Sequence, residues 1–347
     1  MTNYQQESTI EERFEILLSE GKQVEATSPN IDINLKPEYF DEESFKRAQK
    51  TCQKYYTNIS LASATGLLLL VQLESILIPL LKTGRSRTVP DLFDRYVATA
   101  KYVRKYYETD FYQPTSEGWK ALMIVRGMHK RIHQLMNEKN AAQQEAGVVW
   151  VNQYDMAITQ FAFIGLFLLF PNKCAAYSIS EEELKDIVYY WRLISYWLGI
   201  EERFNLFVFH EDLAKQTEYL NLVLKHQEQL LSGERDSVGL QMAKGITYAL
   251  EDFTTETNFN ILDHWWFPQV SLSGLQRPQP YSASDLWKLS FFMFYFKVLF
   301  RNKALMGYMN EVYKKKFDKF AANGEKIKKK LGKKYSNYAV EAPTTTT

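Results

Sequence analysis

Apolar residues recur along this chain at intervals of three and four and seldom alternate, a period that predicts helices nearly everywhere. TIEERFEILLSEG (9–21) reads as a capped helix, with Thr9 followed three residues later by Glu12 and a glycine stop. An extended entry segment, SPNIDINLKPEYF, leads into a helix whose first turn is acidic, as the helix dipole favours. Further helices are expected at about 44–60, 61–82, 90–106, 117–137, 153–170, 180–198, 209–231, 236–253 and 283–319. SISEEELKDIVYYWRLISYWLG is the clearest, having an N-cap serine, an acidic first turn and a glycine terminator. Between 254 and 283 the periodicity fails and proline and glycine gather, which predicts a long loop. No internal repeat and no dividing linker appears. The expected fold class is therefore all-α, a single large helical domain over 44–319. An N-terminal helix and entry segment (1–43) precede it, and a basic, then disordered, tail (320–347) follows.

Composition narrows the function classes. With 347 residues, 46% of them hydrophobic, the chain can bury a substantial core. A net charge of +1 argues against capture of nucleic acid, which needs a basic stripe on the folded domain. The charge is uneven, however: YKKKFDKF and EKIKKKLGKK, between Tyr313 and Lys334, read as a solvated helix end or as a contact for an anionic membrane surface. Two uncharged runs, 55–73 and 156–172, approach membrane-spanning length, and a buried helix of a large all-α domain looks the same in one dimension. Two cysteines, Cys52 and Cys174, lack the spacing of a zinc site and exclude a disulfide scaffold. The acidic, polar N-terminus is unlike a signal peptide, so an intracellular protein is expected. Aromatic content of 15% is mostly packing, and any rings that line a cavity would suit a flat or apolar ligand.

The chemistry centres on IVRGMHKRIHQL (124–135), where Arg126, His129 and His133 project from one side of a helix. Two histidines four apart suggest the zinc arrangement of metallopeptidases, but Lys130 stands where the catalytic glutamate belongs. His210, His226 and His264 sit in unrelated contexts and provide no evident third ligand. A haem requires only one axial imidazole on an apolar helix and cations for its propionates. The structural alternative pairs Arg126 with a carboxylate and packs both histidines between helices. Asn152, Gln153 and Asp155 precede an apolar run and are accounted for by capping, with support of the His129 helix as the alternative.

DRYVATAKYV (94–103), RGMHKRIH (126–133), VNQYDMAITQFAF (151–163) and WRLISYWLGI (191–200) follow in this order. Together they resemble the family of latex-clearing rubber oxygenases and the ER-bound oxygenase mpaB, over roughly 55–230. The resemblance implies a globin-like all-α core holding one b-type haem. It also implies dioxygen-dependent oxidation or cleavage of a hydrophobic, isoprenoid or lipid-like substrate. By position, His129 matches the iron ligand of that family, and Arg95 and Thr99 match its distal side; as cations, Arg126 or Arg95 suit a propionate, and Arg95 alternatively suits the oxygen on the distal side. Ala98 replaces a distal lysine, His133 replaces a second arginine, and Glu74 is the nearest match to a proposed base. The alternative is a non-catalytic haem- or lipid-binding protein, associated with a membrane. Localisation is then cytoplasmic or at the endoplasmic-reticulum membrane. For Arg95 the residue-level alternative is a salt bridge to Asp91 or Asp94, and for Thr99 it is helix packing.

Overall fold

A computed structural model describes residues 9–140, 148–231, 237–254, 258–274 and 282–340, and among them regular structure is helical, with no strand longer than an isolated bridge. The all-α fold class is thus as the apolar period indicates. The helices cluster into two compact units of interleaved chain. The first comprises 1–53, 102–169 and 180–228; the second comprises 54–101, 170–179 and 229–347.

The first unit contains α1 (Ile10–Ser19), α2 (Glu42–Lys54) up to Gln53, the end of α5 (Val89–Glu108), α6 (Glu117–Asn140), α7 (Gln153–Gln160), α8 (Leu166–Leu169), α9 (Glu181–Leu198) and most of α10 (Leu213–Leu230). Thr9 and Glu12 form a reciprocal capping box on α1. On α9 Ser180 and Glu183 do the same, and Gly199 closes the helix at φ 99°, a left-handed conformation that favours glycine. The core is aromatic: Phe45 meets Phe111 edge-on at 5.0 Å between ring centroids and lies tilted against Tyr190 at 5.2 Å, while Phe111 also meets Trp197 edge-on at 5.6 Å. Two buried polar groups of this core are paired. The Tyr190 hydroxyl donates to the Tyr106 carbonyl at 2.6 Å, and Asp186 accepts from Arg47 at 2.8 Å and Thr51 at 3.0 Å. Between α7 and α8 the chain makes a π-helical stretch, Phe161–Gly165, where a Cβ on Gly165 would stand 2.4 Å from the Phe161 ring.

The second unit contains α3 (Tyr56–Leu70), α4 (Glu74–Lys82), α5 up to Lys101, α11 (Ser237–Ala249), α12 (Phe259–Trp266), α13 (Ala283–Val298), α14 (Lys303–Ala322) and α15 (Gly324–Lys334). The helix expected over 61–82 is two, α3 and α4, bent by 87° across a short break. Gln72 stabilises that break by donating to the carbonyls of Leu68 and Leu272. No single described helix is long and apolar enough to cross a membrane, although this bent pair passes that test by length and composition. Most of α3 is buried, and Asn310 of α14 ties down its start by donating to the Lys54 carbonyl at 2.6 Å and accepting from the Thr57 amide at 3.1 Å. The helix expected over 283–319 breaks at Asn302, whose side chain caps α14. Within the expected loop, Asn258 caps α12; residues 255–257 and 275–281 lie outside those described.

The basic segment near the end is built into this unit. Ile327 and Leu331 of α15 are buried, Lys328 pairs with Asp94 at 3.1 Å, and Lys334 pairs with Glu251 at 2.7 Å. Beyond α15, the Val340 amide donates to the Arg87 carbonyl at 2.8 Å, and 341–347 are outside the described residues.

Candidate functional site

Arg126, His129 and His133 lie on α6 in the first unit, whereas Arg95 and Thr99 lie on α5 in the second.

Leu122, His129 and Met136 succeed one another at sevenfold spacing on the inward side of α6, and Leu122 and Met136 are fully buried. His129 retains some exposed surface, yet its Nδ1 is sealed from solvent and has no hydrogen-bond partner. Burial alone pushes its pKa down to about 4, so the imidazole is neutral at pH 7. A buried nitrogen without a partner costs about 1–3 kcal/mol and calls for an explanation. Neighbouring protein groups supply none here.

His133, one turn further on, has its Nδ1 engaged. Its Nδ1 lies 2.8 Å from the Trp150 carbonyl and 3.0 Å from that of Val151, so Nδ1 must carry the proton and donate to them. Asn137 reinforces the same turn by donating to the Trp150 carbonyl at 3.0 Å and accepting from the Trp150 amide at 2.9 Å. The turn merits such a clamp because Val151 has φ 54°, a left-handed conformation that a β-branched side chain adopts only under constraint. An open polar pocket of about 460 Å³ touches His133 and is lined also by Glu25, Asn30, Glu201 and Arg203. Two of its charged groups answer one another: Arg203 pairs with Glu201 at 2.8 Å.

Arg126 has carbonyl partners where a carboxylate was the structural expectation. It donates to the carbonyls of Ser28 at 3.2 Å and Trp197 at 3.4 Å, the latter in the last turn of α9, where the helix dipole is negative. A Cβ on Gly199 would stand 2.7 Å from Arg126 Nη1, so this glycine makes room for the guanidinium. Gln153 secures the same end of α9: its amide donates to the carbonyls of Gly199, Ala26 and Glu25 and accepts from the Glu201 amide. Asn152 is the N-cap of α7 in a capping box with Asp155, as the capping reading expects, whereas Gln153 is a tie between segments that capping does not describe.

On α5, the expected salt bridges of Arg95 are absent. Asp91 accepts from the Thr88 amide and hydroxyl to cap the helix, and Asp94 pairs with Lys328. Arg95 instead donates to the Thr83 hydroxyl at 2.9 Å and the Arg85 carbonyl at 3.3 Å. Burial lowers the guanidinium pKa from its usual value, and no described carboxylate forms a salt bridge with it. A half-buried cation hydrogen-bonded to neutral oxygens, with Asp91 near but capping the helix, is suited to an anion. Thr99 donates to the Arg95 carbonyl one turn back at 3.0 Å, leaving its oxygen lone pairs as acceptors. Ala98 is half-buried beside it. Glu74 stands exposed in the first turn of α4, where the helix dipole accounts for a carboxylate. Sequence reasoning missed Thr83, which anchors Arg95; twelve residues away across a turn, it gives no periodic signal.

Among the described residues no three His, Cys, Asp or Glu side chains gather as a metal-binding group. Any metal taken up at His129 would have to bring most of its own ligands, as a porphyrin does.

Residues 54–259, more than half of the chain, match the family model described as ER-bound oxygenase mpaB/B'/Rubber oxygenase, catalytic domain. No curated protein and no solved structure matches the chain.

Proposed function

This chain belongs to the family of ER-bound mpaB and rubber oxygenase catalytic domains, an oxygenase family and so one of oxidoreductases, and from that premise we propose that it is a haem b-dependent oxygenase using dioxygen on a hydrophobic, isoprenoid or lipid-like substrate. The observation that carries the reading is the neutral, half-buried imidazole of His129, whose sealed Nδ1 has no partner. These residues fit the group. A haem iron needs one neutral imidazole nitrogen, and a depressed pKa keeps His129 free of a competing proton. Arg95 suits a propionate or a developing negative charge, since it is half-buried and donates its hydrogen bonds to neutral oxygens. Arg126 is a weaker choice, because its donors already serve Ser28 and Trp197.

Bound haem would supply the redox-active iron that reacts with dioxygen. The chain's own contribution is orientation and charge. Leu122 and Met136, buried two turns to either side of His129 on α6, anchor the inward side of the helix that carries it. Thr83 and the Arg85 carbonyl hold two arms of the Arg95 fork, so the cation is fixed before a ligand arrives. Thr99, tethered through its hydroxyl to its own helix, can accept a hydrogen bond without reorganising.

The visible spectrum of the purified full-length chain after haem addition tests this. A Soret band is expected, and His129→Ala should abolish or strongly weaken it. A chain that remains folded by circular dichroism and shows no Soret band would sink the proposal. With haem bound, Arg95→Ala should lower dioxygen consumption on an unsaturated isoprenoid or lipid on the order of 100-fold. Haem retention without any consumption by the parent chain would favour the non-catalytic haem- or lipid-binding reading.

A further inference from the structure

Helix α13 carries large apolar residues on two opposite faces, and these meet different surroundings. Leu289, Phe292 and Phe296 are buried inward. Trp287, Phe291, Phe294 and Val298, at spacings of four, three and four, form an outward stripe with relative exposures of 75%, 46%, 53% and 52%. A contiguous exposed stripe of large aromatic residues differs from scattered surface leucines and marks an interaction surface.

Charge identifies what it meets. At about 100° per residue, Lys288 and Lys297 fall roughly 90° to either side of the stripe, where long aliphatic stems can lie along an apolar layer while the ammonium groups reach a polar one. From Leu286 to Asn310 there is no acidic residue, and Arg301 and Lys303 continue the positive margin just past the helix. A second copy seated on this stripe would bring like charges together, and the one acid of α13, Asp285, lies off the stripe in the first turn and already accepts from Asn258 at 2.8 Å. An anionic lipid surface answers this positive margin, of which Lys297 and Arg301 also lie over the rings of Trp265 and Tyr177. The 16 residues of α13 span about 24 Å, less than the hydrocarbon thickness of about 30 Å, so the geometry is that of a helix lying in the headgroup plane.

We propose that the outward stripe of α13 seats this protein on an anionic lipid surface, with Trp287, Phe291, Phe294 and Val298 entering the acyl boundary and Lys288 and Lys297 at the phosphates. This goes beyond the oxygenase reading and does not depend on it, because α13 lies outside residues 54–259 and the inference invokes no haem.

Flotation of the full-length chain with vesicles of phosphatidylcholine, with and without phosphatidylserine, tests it. The chain is expected to float with the phosphatidylserine vesicles. Trp287→Ser with Phe294→Ser should bind at least about tenfold less. Lys288→Glu with Lys297→Glu should lose the preference for the anionic lipid. All four positions lie outside the core, and unchanged thermal melting checks that the variants remain folded. Trp287→Phe preserves the apolar stripe and offers a second measure: lipids brominated in the acyl chain should quench the parent's fluorescence more than this variant's. Failure of the parent to float, equal flotation of the serine variant, or equal quenching would overturn the proposal. A serine variant that turns a dimer into a monomer without vesicle binding by the parent would assign the stripe to a second copy and overturn it too.

Discussion

His129 and His133 share a helix and a spacing that invites a common role, yet their ring nitrogens are spent differently. His133 donates to two backbone carbonyls and holds a strained valine in place. Replacing it with alanine should cost about 1–2 kcal/mol in urea unfolding, with the Soret band of reconstituted protein retained. Arginine at that position, which donates but does not titrate, should recover part of the loss. His129 predicts a pH effect of definite sign. Its folded pKa, about 4, lies below the unfolded value of about 6.5, so the unfolded chain takes up the proton first. Its contribution to the stability of the haem-free chain is therefore full above that unfolded value and is lost as pH falls between the two. A His129→Phe variant should show a smaller drop in urea midpoint between pH 7 and pH 5 than the parent. The sequence made His129 and Arg95 conspicuous through spacing and order. It could not reveal that Asp91 and Asp94 are occupied elsewhere, because a salt bridge and a helix cap are drawn from the same nearby residues.

Helix ends were legible wherever local chemistry closed them. The Thr9–Glu12 box and the Ser180–Glu183 box with Gly199 depend on residues three or four apart, and each forms as the sequence indicates. Breaks caused by distant partners were not legible. The bend between α3 and α4 has no glycine or proline, and Gln72 secures it through Leu272, two hundred residues away. The eight-residue α12 is too short to display a period and falls inside the expected loop. Gly199 provides a test at this scale. Alanine there must adopt a left-handed conformation and displace the Arg126 guanidinium, so a loss of about 2 kcal/mol or more is expected in thermal or urea unfolding. Towards the end of the chain, Leu331 is 0% exposed in a helix whose composition suggests a solvated end or a membrane contact. Leu331→Ala should cost about 2–4 kcal/mol, whereas a solvated tail would register no change.

For the whole molecule, the apolar period gave the helical class, and the absence of an internal linker agrees with units assembled from interleaved segments. The division itself was invisible in one dimension, since composition does not shift where the chain passes from one unit to the other. That interleaving has a consequence for synthesis. Asn310 must arrive before the start of α3 acquires its tie to α14, and α3 is complete at residue 70. At about 5–20 residues per second, the ribosome leaves that apolar helix waiting roughly 10–50 s for its partner. Nascent chains stalled before α14 should therefore expose the LASATGLLLL segment to chaperones and proteases, and soluble yield should respond more to chaperone supply during translation than to the stability of the finished protein.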